Sequence, residues 1–158
     1  MPVRVGFAVP RRLGNPSVPS APCTYQQMVR FAQQAESLGL DSVWVPDHFY
    51  YEWPAGVFEP YPEAWTLLTA IGVSTQHVRV GSMVLAAGFR HPALVAKMAT
   101  ALQELTNGRL ILGIGAGNQV AEHTAFGFDF DGRFRRLTEY LQILTSLLGN
   151  EQVTFNGR

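Results

Sequence analysis

The sequence predicts an α/β protein built on a parallel sheet. Short apolar runs alternate with amphipathic helical stretches in the order βαβαβαβα, and most of the helices carry a recognisable start or stop signal. Polar or glycine-rich residues follow the second, third and fourth apolar runs, where parallel α/β sheets place their ligands.

Residues 3–9, VRVGFAV, alternate and then become wholly apolar, the pattern of a strand entering a covered sheet. After a loop rich in Pro, Gly and Ser, Thr24 and Gln27 form a capping box. Tyr25, Met28, Val29, Ala32, Ala35 and Leu38 give the helical stripe, which Gly39 ends. Residues 42–45 are the second strand. Residues 49–62 form an aromatic loop without a clear period. Pro62 suits the first turn of a helix over 63–75.

Residues 78–86 are the third strand. Pro92 starts the next helix, with Leu94, Val95, Met98, Ala101, Leu102 and Leu105 inward, and Asn107-Gly108 stops it. Residues 109–115 are the fourth strand, and a glycine-rich loop follows. Phe134, Leu137, Leu141, Leu144 and Leu148 mark the last helix, with Tyr140 in its core, and Gly149 closes it. Residues 153–155 suit a short strand or hairpin arm. Two architectures fit this order. A doubly wound sheet is complete at this length, whereas a (β/α)8 barrel needs roughly 250 residues.

With 158 residues and 47% apolar content, the chain can bury one real core. Its net charge is zero, so neither nucleic acid nor an anionic membrane surface is an expected partner. Only 15% of residues are charged, which suits a surface partly hidden in a homo-oligomer or against a missing half of the fold. The single cysteine, Cys23, forms no internal disulfide. The first residues lack the apolar run of a signal peptide, and no stretch reaches membrane-spanning length, so a cytoplasmic protein is expected.

Chemistry is sought at the strand ends. The second strand ends in Pro46-Asp47-His48, the third runs into AAGFRHP, and the fourth ends in GIGAGN at residues 113–118. Asp47, His48 and Asn118 then meet at one mouth. Asp47 alone reads as a cap, and His48 alone as a packed or solvated histidine. Side by side they offer a hydrogen-bond acceptor and a proton shuttle. His77, His91 and His123 lack paired metal-ligand spacing. GIGAGN is a poor dinucleotide fingerprint: it lies on the fourth strand, and no helix is expected directly after it. Its glycines either relieve crowding inside a barrel or let a flat ligand approach the backbone. Phe49, Tyr50, Tyr51, Trp53, Phe58 and Tyr61 suit a pocket wall or a subunit interface. Arg133, Arg135 and Arg136 open the last helix and read as a solvated face, with Asp129, Asp131 and Glu139 as possible ion partners.

Four segments, ESLGLDSVWVPDHF, VRVGSMVL, FRHPALVAKMATALQELTNGRLILGIGAGN and AFGFDFDGRFRRLTEYLQIL, resemble the luciferase-like monooxygenase family in sequence and order. They cover nearly the whole chain. The resemblance implies the first half of a (β/α)8 TIM barrel, about four βα units, over residues 1–158, as a fragment of a longer chain. It also implies a flavin or deazaflavin ring in the barrel mouth. In many members a bulge with a non-prolyl cis peptide backs that ring, at the position of Met83-Val84. Asp47 matches an acid that meets the deazaflavin, and His48 a histidine at the reacting face. Ala86, Gly117 and Asn118 match positions that line the ring or its side chain. Sugar-phosphate dehydrogenases of the family carry a glutamate where this chain has Asn118, which argues against that substrate. Ala86 lacks the hydroxyl some relatives carry there.

The function implied is hydride transfer between coenzyme F420 and a small organic substrate, with His48 as proton donor or acceptor. The alternatives are an FMN-dependent monooxygenase using reduced flavin and oxygen, and a non-catalytic half-barrel that binds flavin or partners another subunit.

Overall fold

The computed structural model describes residues 2–13, 21–53 and 57–157. In chain order the elements are β1 (Gly6–Ala8), α1 (Tyr25–Ser37), β2 (Ser42–Val45), β3 (Tyr50–Trp53), β4 (Val57–Pro60), α2 (Ala64–Ser74), β5 (Arg79–Ser82), β6 (Leu85–Ala86), α3 (Pro92–Leu105), β7 (Leu110–Ile111), β8 (Ile114–Gly115), α4 (Val120–Phe126) and α5 (Arg133–Leu148).

The main sheet is parallel, in the order β1-β2-β5-β7. Each strand pairs with the next one laid down, and the order never reverses. A doubly wound sheet requires such a reversal. Right-handed crossovers without one put every helix on the same face. The sheet is therefore the arc of a barrel, and the choice left open by length is made by strand order.

Alternation sorts the two faces. Val43, Val45 and Val80 are fully buried and share one cluster with Met28 and Ala32 of α1 and Leu67, Leu68 and Ile71 of α2. Each large aliphatic side chain so buried contributes about 1.5–3 kcal/mol. Trp44 lies on the other, inner face. Its indole crosses Gly6 and Gly81, where a Cβ on Gly81 would stand 2.5 Å from the ring, and its Nε1 donates to Ser42 Oγ at 2.9 Å.

Helix ends are fixed by side chains. The Thr24–Gln27 capping box is present, with Gln27 N–H donating to Thr24 Oγ1 at 3.2 Å and Thr24 N–H to Gln27 Oε1 at 2.8 Å. Glu63 caps α2 by accepting from Trp65 and Thr66, so Pro62 lies just before the cap and not in the first turn. His91 caps α3 with Pro92 next to it. Arg109 closes the far end of α2, donating to the Gly72 and Thr75 carbonyls at 2.7 and 2.9 Å. Glu36 Oε1 accepts three backbone N–H groups, from Gln76, His77 and Val78, at 2.6–2.9 Å, and so ties α1 to the entry of β5.

The structure differs from the sequence reading in several places. The first strand is confined to Gly6–Ala8. The expected aromatic loop contains the antiparallel β3–β4 hairpin, whose strands pair with each other and not with the main sheet. The third and fourth strands are each broken in two, with β6 and β8 forming a separate pair. Helix α4 begins two residues after Asn118, where no helix was expected. It has no side-chain cap and only seven residues, so docking and not local propensity holds it. Residues 153–155 form no strand. Leu94, Leu105, Phe134, Leu141 and Leu148 are exposed. The buried face of α3 runs through Val95, Ala96, Ala99 and Leu102, and that of α5 through Tyr140 and Leu144. No described helix is long and apolar enough to cross a membrane.

Candidate active site

The ends of β2, β5, β6 and β8 converge. Met83 N–H donates to Val45 O at 2.8 Å, which sets the break between β5 and β6 beside the strand that leads to Asp47 and His48. Leu85 N–H and Ala87 N–H donate to Gly113 O and Gly115 O, at 2.8 and 2.9 Å, which joins the GIGAGN segment to the same edge.

Asp47 and His48 are neighbours in the chain, but they serve different partners. The Asp47 side chain is 1% exposed. Its Oδ2 accepts from Arg90 Nη1 at 2.7 Å and Ala86 N–H at 2.9 Å, and its Oδ1 from Arg90 Nη2 at 3.1 Å. Arg90 Nη2 also donates to Glu63 Oε1 at 2.5 Å. Burial alone would lower the Arg90 pKa, but Asp47 and Glu63 outweigh it and the value is raised. Burial pushes the Glu63 carboxyl up. The N–H and side-chain bonds from Thr66, Arg90 and Trp65 outweigh that and hold it below the usual range. Asp47 thus locks the mouth together from inside.

His48 is turned the other way. Its side chain is 20% exposed, and its Nδ1 lies 3.0 Å from Glu122 Oε2. The Tyr61 and Tyr51 rings stand steeply inclined to the imidazole, in T-shaped contacts with centroids 5.2 and 6.1 Å away. Glu122 comes from α4 and is itself 1% exposed. Its Oε1 accepts the N–H groups of Phe49 and of Tyr50, the latter at 3.4 Å. The acid that meets the imidazole is therefore Glu122 and not the chain neighbour Asp47. Arg90 has already claimed Asp47.

The remaining predicted residues fall as follows. The Met83-Val84 peptide is cis, as the resemblance implied for this position. Both side chains stand about half exposed, at 52% and 45%. Ala86 is at the same edge but buried, with its N–H on Asp47. Gly117 has φ +81°, and a Cβ there would lie 2.6 Å from His123 Cε1, so the glycine is required by its fold neighbour. Asn118 is exposed. His123 is fully buried. Its Nδ1 donates to Gln119 O at 2.8 Å, and its Nε2 has no partner. Phe49 stacks on Phe89 at 4.6 Å and tilts against Phe126 at 4.4 Å, so this aromatic is internal packing for α4. Arg136 donates to the backbone carbonyls of Asp129 and Asp131 and not to their carboxylates.

Two residues central to the site, Arg90 and Glu122, were missed in the sequence. Arg90 lies 43 residues from its partner and Glu122 lies 74, and neither has a local signal. The site holds an imidazole beside a buried carboxylate, and an exposed, apolar strand break is tied to the end of the same strand through Met83 N–H and Val45 O. The exposed, apolar Met83-Val84 pair fits a flat heterocycle such as a flavin or deazaflavin better than a highly charged ligand.

The chain is 37% identical to an F420-dependent glucose-6-phosphate dehydrogenase of Amycolatopsis mediterranei over 136 residues, which is 84% of this chain and 40% of that protein. It is 33% identical to the enzyme of the same name from Kribbella flavida over 161 residues, 99% of this chain and 45% of the relative. The chain thus spans under half the length of the curated relatives it matches. Among solved structures, a monooxygenase from Streptomyces bottropensis superposes with a TM-score of 0.81 at 27% identity, over 99% of this chain and 46% of the other. The oxygenating component of 3,6-diketocamphane monooxygenase from Pseudomonas putida, in complex with FMN, matches with a TM-score of 0.81 at 25% identity, over 100% and 42%. The family model described as luciferase-like monooxygenase matches residues 3–158, and the chain belongs to that family.

Proposed function

We propose that this chain supplies the first half of a (β/α)8 barrel in an oxidoreductase that moves a hydride between coenzyme F420 and a small organic substrate. The observation that carries the reading is the His48 imidazole, held by Glu122 at Nδ1 and with no Nε2 partner among the described residues, at the end of the strand whose Val45 carbonyl accepts from Met83 N–H. The names of the relatives support F420 as the coenzyme.

When bound, the coenzyme supplies the hydride chemistry. The chain supplies position and proton handling. Met83 and Val84 offer an apolar bed on which a ring can rest. Gly117 and the exposed Asn118 stand at the end of the neighbouring strand. His48 takes or gives the substrate proton at Nε2, and Tyr51 and Tyr61 limit the freedom of its ring. Asp47 acts by holding the Arg90–Glu63 lock behind the mouth. Glucose 6-phosphate is not carried over as the substrate, because Asn118 replaces the glutamate that the resemblance places there, and an amide cannot serve as a general acid.

The test is turnover. His48→Ala should lower the rate of F420 bleaching by about 10²-fold or more, measured over a panel of small alcohols and sugar phosphates. Coenzyme affinity should change little. Undiminished turnover would remove His48 from the mechanism. An FMN-dependent monooxygenase is the second reading, favoured by the likeness to the Streptomyces and Pseudomonas monooxygenases. Oxygen consumption with reduced FMN, without F420 bleaching, would select it.

A further inference from the structure

We infer that Glu122 is the positioning residue for His48, and that it holds the neutral imidazole as the Nδ1–H tautomer with Nε2 bare. The functional meaning of this rests on the reading of His48 as the proton-transfer group. The tautomer itself does not.

A carboxylate only accepts hydrogen bonds. Glu122 Oε2 at 3.0 Å from Nδ1 therefore places the imidazole hydrogen on Nδ1. The carboxylate cannot swing away, because Oε1 is held by the Phe49 and Tyr50 N–H groups. No described arginine or lysine pairs with Glu122. Asp47 is committed elsewhere, its oxygens accepting from Arg90 and Ala86 N–H. The rings of Tyr51 and Tyr61 flank the imidazole in T-shaped contacts. Helix α4 is thus built into the site. It carries one carboxylate that docks the helix through the backbone of residues 49 and 50 and, with its second oxygen, selects which nitrogen of His48 stays bare.

Glu122→Gln separates these two roles. The amide oxygen can keep the Phe49 and Tyr50 N–H groups. The amide NH2 then faces Nδ1 and donates, so Nδ1 must accept and the hydrogen moves to Nε2. The test is a long-range 1H–15N correlation spectrum of the 15N-labelled protein, with His48 signals identified by their loss in His48→Asn. The wild type should show protonated Nδ1 and bare Nε2, and Glu122→Gln should show the reverse. A wild-type His48 with Nε2–H, or averaging between tautomers, would overturn the proposal. So would an unchanged tautomer in the variant. If the variant does not fold, the wild-type spectrum alone decides. No coenzyme enters this measurement, so it can fail while the F420 reading stands. Equally, His48→Ala can leave turnover intact while the tautomer is confirmed.

Discussion

Removing the Asp47 carboxylate would leave Arg90 buried with a single acid, Glu63, and Ala86 N–H without an acceptor. Breaking a buried ion pair in this way costs about 3–5 kcal/mol. Asp47→Ala is therefore expected to lower the urea unfolding midpoint sharply, with any loss of coenzyme affinity following from the loosened mouth. A variant with the native midpoint and weakened F420 binding would instead assign the carboxylate to the ligand. At this scale the sequence is a partial guide. The Asp47-His48 pair stands out because the two residues end an apolar run. Their partners do not stand out, because Arg90 and Glu122 reach the site from other βα units and adjacency in the chain carries no information about which acid an imidazole meets.

Elements are more legible where their signals are local. The capping box at Thr24, the Pro92 start of α3 and the stop at Asn107-Gly108 are all present, since each is set within a few residues. Helix α4 escaped because it is held by contacts made outside the element, and the β3–β4 hairpin because its strands lie within an aromatic stretch with no clear period. The link between α1 and β5 is also nonlocal, and it makes a prediction. Burial pushes the Glu36 carboxyl up, but the three backbone N–H groups of His77, Val78 and Gln76 outweigh burial and hold it below its ordinary value of 4.5. A carboxyl whose folded value is depressed stabilises the fold above its ordinary value. That contribution is lost as pH falls through the depressed one. Stability should accordingly fall with acid below about pH 4.5, and Glu63, shifted in the same direction, adds to the slope. Glu36→Gln keeps an acceptor oxygen but no ionisation, so it should flatten this acid limb while leaving the amide contacts. Urea midpoints measured from pH 7 downward check it: a variant as acid-sensitive as the wild type would show that Glu36 does not carry the effect.

At the scale of the whole molecule, composition left a doubly wound sheet and a barrel arc equally open, because both share the alternation of strand and helix. Spatial strand order separates them, and no local pattern encodes it. The order β1-β2-β5-β7 leaves β1 and β7 as sheet edges among the described residues, and Met83 and Val84 are exposed. Open edges of this kind invite pairing with another strand. The solved relatives, in which this chain matches under half of the length, offer one way to cover them. We propose that the second half of the same polypeptide does so, and that the intact mass of the native gene product is about twice 17.4 kDa. Mass spectrometry of the native protein checks this. A mass of 17.4 kDa would leave two edges and the exposed Met83-Val84 pair to be covered by a second copy. The reading would then move to an oligomer of half-barrels, in which each His48–Glu122 pair needs a neighbouring chain to complete its site.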